Sequence, residues 1–395
     1  MDTRHLFDTL AAQRAPLTTV DVGRAVADGR AIRRRRRAAL TAGALSVLLV
    51  ASLTWFGIAQ AGGGGEVAVT VHGDALPASG VGPLRHAYYD WCGKKWSPGQ
   101  GRAFTGRECL QWRVVTRDGR NYRMPEALSV YTEQTEQNYM NTAAPLVITP
   151  DGRRVAYYSE KDERFAVRDL ADGRVWLTPQ KVDRKTMVKH GGLLRLSPDG
   201  RHLGLNGVGL PNAVVDVETG HVTEIPEGWQ VVRVPSGGDP VVVGDENNRL
   251  GLLSGGQVRA FSARDAGFNV SGPAADGRTL AYLGEREKTG RDNATGGSRP
   301  DRIVTIDATT GTITKEVAFR DAPKDFYPWR VGHWVSPTEV AVSAVLRDQA
   351  WMKDRTITPT LGEAVYAVDV VTGRVRELGV YSFRGWSGDV VTPGF

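Results

Sequence analysis

Ile148-Thr149-Pro150-Asp151-Gly152-Arg153-Arg154-Val155-Ala156-Tyr157-Tyr158 decides the fold, because the chain writes this unit more than once. A second copy is Leu196-Ser197-Pro198-Asp199-Gly200-Arg201-His202-Leu203-Gly204-Leu205, and a third is Pro273-Ala274-Ala275-Asp276-Gly277-Arg278-Thr279-Leu280-Ala281-Tyr282. Each reads as a tight hairpin. Pro presets φ, Asp accepts backbone amides within the turn, and Gly takes positive φ without Cβ strain. The apolar residues on both sides predict two strands. The residue five places after the Asp is small each time: Ala156, Gly204 and Ala281. A recurring small side chain predicts crowding where a neighbouring sheet faces it.

A second signature trails the first. Val167-Arg168-Asp169-Leu170-Ala171-Asp172-Gly173 shares an Asp with Gly four places on with Val215-Asp216-Val217-Glu218-Thr219-Gly220, Ile306-Asp307-Ala308-Thr309-Thr310-Gly311 and Val368-Asp369-Val370-Val371-Thr372-Gly373. This is another hairpin turn with Gly in the left-handed position, so each repeat supplies four strands. The turn glycines Gly173, Gly220, Gly311 and Gly373 are 47, 91 and 62 residues apart. The long middle interval holds two units, because Leu252-Leu253-Ser254-Gly255-Gly256 fills a degenerate one.

Four-stranded units of about 40–50 residues have the period of propeller blades. Five are visible, at residues 145–178, 192–226, 229–261, 268–318 and 330–379. The leftovers predict a closing blade. Trp112-Arg113-Val114-Val115 with Arg117-Asp118-Gly119-Arg120 forms a hairpin, His86 to Trp91 precedes it as a strand, and Tyr381 to Val391 supplies an inner strand. Closure by both chain ends removes the open sheet edge. The expectation is an all-β, six-bladed β-propeller at 84–395, with seven blades left open.

The Ser-Pro-Asp-Gly-Arg-x-Leu-Ala-Tyr unit resembles the TolB-like, WD-repeat-like propeller repeat of bacterial envelope proteins, over roughly residues 145–380. The resemblance implies a propeller used mostly for binding other proteins. It carries no catalytic residues, since Asp151, Gly152, Asp199, Gly200, Asp276 and Gly277 are turn formers. A basic tail, one span and such a propeller together also resemble membrane-anchored propeller proteins of bacteria.

The anchor is read from the other end. Arg33, Arg34, Arg35, Arg36 and Arg37 precede residues 38–61, which carry no charged side chain. As a helix those 24 residues extend about 36 Å, enough to cross a hydrocarbon core of about 30 Å. Residues 1–37 hold nine Arg and four Asp, while the rest of the chain is nearly balanced at 41 basic and 40 acidic residues. The positive excess therefore belongs to a cytoplasmic flank touching anionic headgroups rather than to a nucleic-acid surface. Ala59-Gln60-Ala61 has the form of a signal-peptidase site, but the polar start and apolar run are longer than a cleaved signal uses. The tail 1–37 reads as cytoplasmic, 62–83 as a Gly/Pro linker, and the propeller as extracytoplasmic.

Cys92 and Cys109 are the two cysteines. In an oxidising compartment their separation permits a disulfide stapling the closing blade, contributing about 3 kcal/mol in the loop-entropy picture. A free buried thiol pair is the other reading.

Chemical motifs are sparse. Gly385-Trp386-Ser387-Gly388 fails the spacing of a nucleophile elbow, and no His-Glu-x-x-His or phosphate-loop motif occurs. The seven histidines are scattered. Asp245-Glu246-Asn247-Asn248 is oxygen-rich but lacks the calcium-loop register, and reads as a solvated hairpin tip. Aromatics crowd Tyr88 to Tyr122 and Phe326 to Trp334, where core packing and an interface are both open readings. Lys181 to His190 reads as a basic loop. No cofactor is expected. The function expected is a membrane-anchored extracytoplasmic module that binds or scaffolds an envelope protein or polymer. A transmembrane sensor with a regulatory tail is the first alternative, and a funnel-site hydrolase or lyase the second.

Overall fold

The computed structural model describes residues 74–91, 110–128, 144–207, 209–263, 266–267, 269–284, 300–324, 326–346, 360–384 and 390–395. Among these no helix is long and apolar enough to cross a membrane. The stretch read as a span (38–61), the five arginines of the tail, and Cys92 and Cys109 lie outside the described residues.

The described chain forms six antiparallel sheets. Blade 1 pairs Leu84–Trp91, Leu110–Thr116 and Asn121–Arg123, with Val390–Val391 on its inner edge. Blade 2 runs outward through Leu146–Ile148, Arg154–Ser159, Arg164–Asp169 and Val175–Leu177. Blade 3 comprises Leu193–Leu196, His202–Asn206, Ala213–Asp216 and Val222–Glu224. Blade 4 comprises Trp229–Arg233, Val241–Asp245, Leu250–Ser254 and Gln257–Phe261. Blade 5 keeps Thr279–Gly284, Arg302–Asp307 and Thr312–Ala318. Blade 6 comprises Pro328–Trp334, Glu339–Val345, Thr360–Asp369 and Val375–Arg384. The fold is a six-bladed propeller.

The repeat turns form as their chemistry dictates. Gly152, Gly200 and Gly277 donate to Thr149, Ser197 and Ala274 carbonyls, each closing the turn between an inner strand and its neighbour. Asp151 accepts from the Arg153 amide at 2.9 Å, Asp199 from Arg201 at 3.1 Å, and Asp276 from Arg278 at 2.9 Å. The outer turns close by amides of Gly173, Gly220, Gly311 and Gly373 on the carbonyls of Asp169, Asp216, Asp307 and Asp369. All seven glycines have positive φ. At Gly204 the sequence-predicted crowding is met: an added Cβ would lie 2.7 Å from Val231 and 3.1 Å from Val234, both in blade 4.

The core lies in the seams. Val155 and Tyr157 pack with Tyr89 and Trp112 of blade 1. Ala156 and Tyr158, alternating with them, pack with Leu194 and Leu205 of blade 3. Val214 meets Val231 and Val243 between blades 3 and 4, Val242 meets Leu280 between blades 4 and 5, and Leu283 meets Val342 between blades 5 and 6. A middle strand serves two cores through its two faces, so its apolar residues run consecutively rather than alternating. Where blade 6 meets blade 1, Arg85 donates to the Val380 carbonyl at 2.8 Å, His86 meets the Tyr381 ring edge-on at 5.9 Å between centroids, and Thr392 donates to Glu363 at 2.9 Å.

Four expectations are corrected. Tyr381 does not begin the inner strand of the closing blade; it belongs to the outermost strand of blade 6, and only Val390–Val391 pair with Ala87 and Tyr88. Blade 5 has three strands, its inner one reduced to a bridge between Val270 and Tyr282. Lys181 to His190 is not a loop throughout: Arg184–His190 is a helix capped by Asp183, whose carboxylate accepts the Thr186 amide at 2.9 Å. Residues 74–83, read as linker, pack on blades 1 and 2. The Leu76 amide donates to the Arg123 carbonyl and the Val81 amide to the Leu170 carbonyl, while Arg168 donates to the Pro77 and Ala78 carbonyls.

Candidate functional site

Inner strands face the propeller axis, and three of them carry arginine between apolar residues: Leu194-Arg195-Leu196, Val232-Arg233-Val234 and Trp329-Arg330-Val331. These come from blades 3, 4 and 6. Arg233 reaches across the channel and donates through Nη2 to the Val331 carbonyl of blade 6 at 2.5 Å. Blade 5, which lies between those blades in the ring, has no full inner strand to fill the gap. Arg195 donates through Nη1 to its neighbour Leu194 at 3.2 Å. The Nε groups of Arg195, Arg233 and Arg330 are buried without a hydrogen-bond partner.

The three guanidinium groups feel one another. Burial draws Arg233 down to about 9, and the charges of Arg195 and Arg330 add to the effect. Arg195 is lowered for the same reasons, burial first and Arg330 second. Arginine side chains stay protonated at neutral pH. Each of the three is half-buried as a residue, and among them Arg233 lines the cavity described next. Among the described residues only Arg330 has a carboxylate, Glu363, at 2.6 Å. The Arg330 guanidinium also lies 4.0 Å from the Trp329 ring centroid. Glu363 is fully engaged, accepting from Ser343 at 3.0 Å and Thr392 at 2.9 Å through its second oxygen. Three cations and one anion leave the cluster two positive charges in excess.

Above Arg233 the channel opens into a cavity of about 410 Å³. Its rim is built from the inner turns, with Pro150, Pro198, Pro235 and Pro273 contributed by blades 2 to 5. His333 and Trp334 of blade 6 complete the wall. Burial holds His333 near 4, so it is neutral and adds no charge at pH 7. Asp239 also lines the cavity, and its carboxylate accepts from Ser254 at 2.9 Å. The arrangement suits the capture of a negatively charged group under an apolar rim.

The residues singled out from sequence are elsewhere. Asp151, Asp199 and Asp276 stand in the turns around the rim as structural groups. Asp245 closes its hairpin tip, accepting the Asn247 and Arg249 amides. Tyr89, Trp112 and Phe326 are core, and Trp329 is exposed. The arginine cluster was missed. Its signal, one Arg between apolar residues in three separate inner strands, is visible once the strands are aligned on the axis.

Repeat turns and six sheets together make the described residues a six-bladed β-propeller. No protein-family model matches the chain, and no curated protein matches it in sequence. Among solved structures, TolB from Acinetobacter baumannii is 14% identical with a TM-score of 0.41, covering 80% of this chain and 67% of that one. A nidogen/laminin complex chain is 9% identical with a TM-score of 0.38, covering 75% and 92%. Hydrazine synthase from Kuenenia stuttgartiensis is 15% identical with a TM-score of 0.36, covering 63% and 68%. At these values the likenesses assign no function.

Proposed function

We propose that this chain is an anchored binding module of the bacterial cell envelope. Its N-terminal tail lies in the cytoplasm, residues 38–61 span the membrane, and the propeller projects outside to hold an envelope component at the channel mouth. The observation that carries the reading is the cavity where the inner turns converge over Arg233. The mouth combines the Arg233 guanidinium with prolines and Trp334, a set suited to holding a ligand. The run of five arginines before 24 uncharged residues supports the anchor and its orientation.

The test is a membrane pull-down with the full chain against a variant blocked at the rim, Ser236→Trp. Ser236 is exposed and lines the cavity. An envelope component retained by the parent and lost by the variant is the expected result. Capture that ignores the block, or no capture, overturns the mouth as the binding surface. Protease treatment of intact cells should remove the propeller and spare the tail; a protected propeller overturns the orientation.

A further inference from the structure

We infer that the central channel is a binding site for a phosphate-class oxyanion, held by Arg195, Arg233 and Arg330, with the body of any larger ligand filling the cavity above it. The inference deepens the binding-module reading and rests on it for the channel being a ligand site.

Three observations carry it. First, the charges do not balance. Arg195 and Arg233 have no carboxylate within ion-pair distance among the described residues, and Glu363 is committed to Arg330, Ser343 and Thr392. Arginine cannot shed its proton to escape such a site. Enclosed like charges without a counter-ion are unfavourable, so the fold maintains them at a cost that an anion relieves. Second, each guanidinium keeps one unused donor, although both Nη groups of Arg233 already donate to the Val232 and Val331 carbonyls. The Nε–H of each guanidinium lacks a partner. Nε and one Nη of an arginine form the fork that matches two oxygens of an oxyanion. Third, access and size agree. Arg233 lies in the wall of a cavity of about 410 Å³, a volume in the range of small-molecule pockets.

The excess of two positive charges selects for a dianion. Tetrahedral phosphate presents oxygens in several directions at once, as three arginines from three blades require. A monocarboxylate offers one plane and one charge. Free phosphate and the end group of a phosphomonoester share this chemistry. The proline-lined rim, with Trp334, gives an organic body apolar surface to cover.

The test is calorimetric titration of the purified full chain in detergent, at constant ionic strength in chloride. Inorganic phosphate, glycerol phosphate and succinate are the probes. The expected result is saturable one-site binding of phosphate, tighter binding of glycerol phosphate if the cavity takes the body, and weaker succinate binding. Arg195→Gln and Arg233→Gln should each weaken phosphate binding at least about tenfold. Arg233 bridges two blades, so Arg195→Gln, which removes only a bond to its own neighbour, keeps the test readable if Arg233→Gln fails to fold. Arg201→Gln, an exposed arginine paired with Asp216, should leave binding unchanged. Absence of saturable phosphate binding overturns the inference, as does binding indifferent to Arg195→Gln. Succinate bound in preference to phosphate overturns the phosphate class. An envelope component still captured at the mouth by a protein that binds no phosphate would leave the binding module standing and remove only the anion.

Discussion

A single missing methyl group at residue 204 measures how closely the blades approach. Gly204→Ala places a Cβ against Val231 and Val234 in the neighbouring blade. Overpacking of this kind costs about 1–3 kcal/mol, to be read as a lowered denaturation midpoint with an unchanged m-value. Two histidines set a pH window. Burial lowers His86 and His333 to about 4, against an ordinary value of 6.5. The unfolded chain therefore takes up protons that the folded chain refuses, so stability falls as pH drops from about 6.5 towards 4. His86→Gln and His333→Gln should flatten that part of a stability–pH curve; an unaltered slope would assign it to other groups. Asp307, held below the usual carboxylate range by the Thr309 hydroxyl and amide, contributes stability that is present above about pH 4 and lost only below it.

At the scale of the element, side-chain amides extend pairing between blades. Asn206 at the end of its blade 3 strand donates to the Val231 carbonyl at 2.7 Å and accepts the Val231 amide at 2.7 Å. Asn269 does the same for blade 6, donating to the Trp329 carbonyl at 2.6 Å and accepting the Val331 amide at 2.9 Å. Each stitches an inner strand to the blade before it, and Asn269 does so where blade 5 lacks an inner strand of its own. Asn206→Ala leaves a buried amide and carbonyl unpaired, an expected loss of about 2–4 kcal/mol in chemical denaturation. Asn206→Asp keeps the acceptor and loses the donor, so a smaller loss than Ala would contradict the bidentate role only if it vanished. What was legible in sequence follows the same division. The turns were readable because Pro, Asp and Gly act within a few residues of one another. Blade 4 was faint as a repeat yet forms four strands, since consecutive valines and leucines such as Val241-Val242-Val243 and Leu252-Leu253 suffice without the Asp-Gly turn. The arginine cluster was hidden because its members are far apart in sequence and meet only around an axis. The shortened closing strand was misplaced because Tyr381 and Val391 both fit a strand by composition.

The whole ring is closed by its last six residues. Val390–Val391 pair with blade 1, Thr392 reaches Glu363 in blade 6, the Gly394 amide donates to Ile148 in blade 2 at 2.9 Å, and Phe395 packs on Gly332. The seam they guard is the one between blades 6 and 1. Deleting residues 390–395 should open the ring there, seen as rapid proteolysis within blades 1 and 6 and a broadened unfolding transition. A sharp, unshifted transition would mean that the other five seams hold the ring alone. Glu363→Gln tests the same junction more gently. It weakens the hold on Arg330, whose side chain keeps 32% of its area exposed, and about 1–3 kcal/mol is the expected loss.

The alternation of one strand between two seams has a consequence for how substitutions combine. Tyr157 and Tyr158 are neighbours in the chain, yet one belongs with Trp112 and the other with Leu194. Their energetic effects should be nearly additive despite the shared peptide bond. Tyr157 should instead be non-additive with Trp112, and Tyr158 with Leu194, at separations of tens of residues. Double-mutant cycles across those pairs would draw the ring as a circuit of pairwise couplings in which sequence proximity carries almost no information.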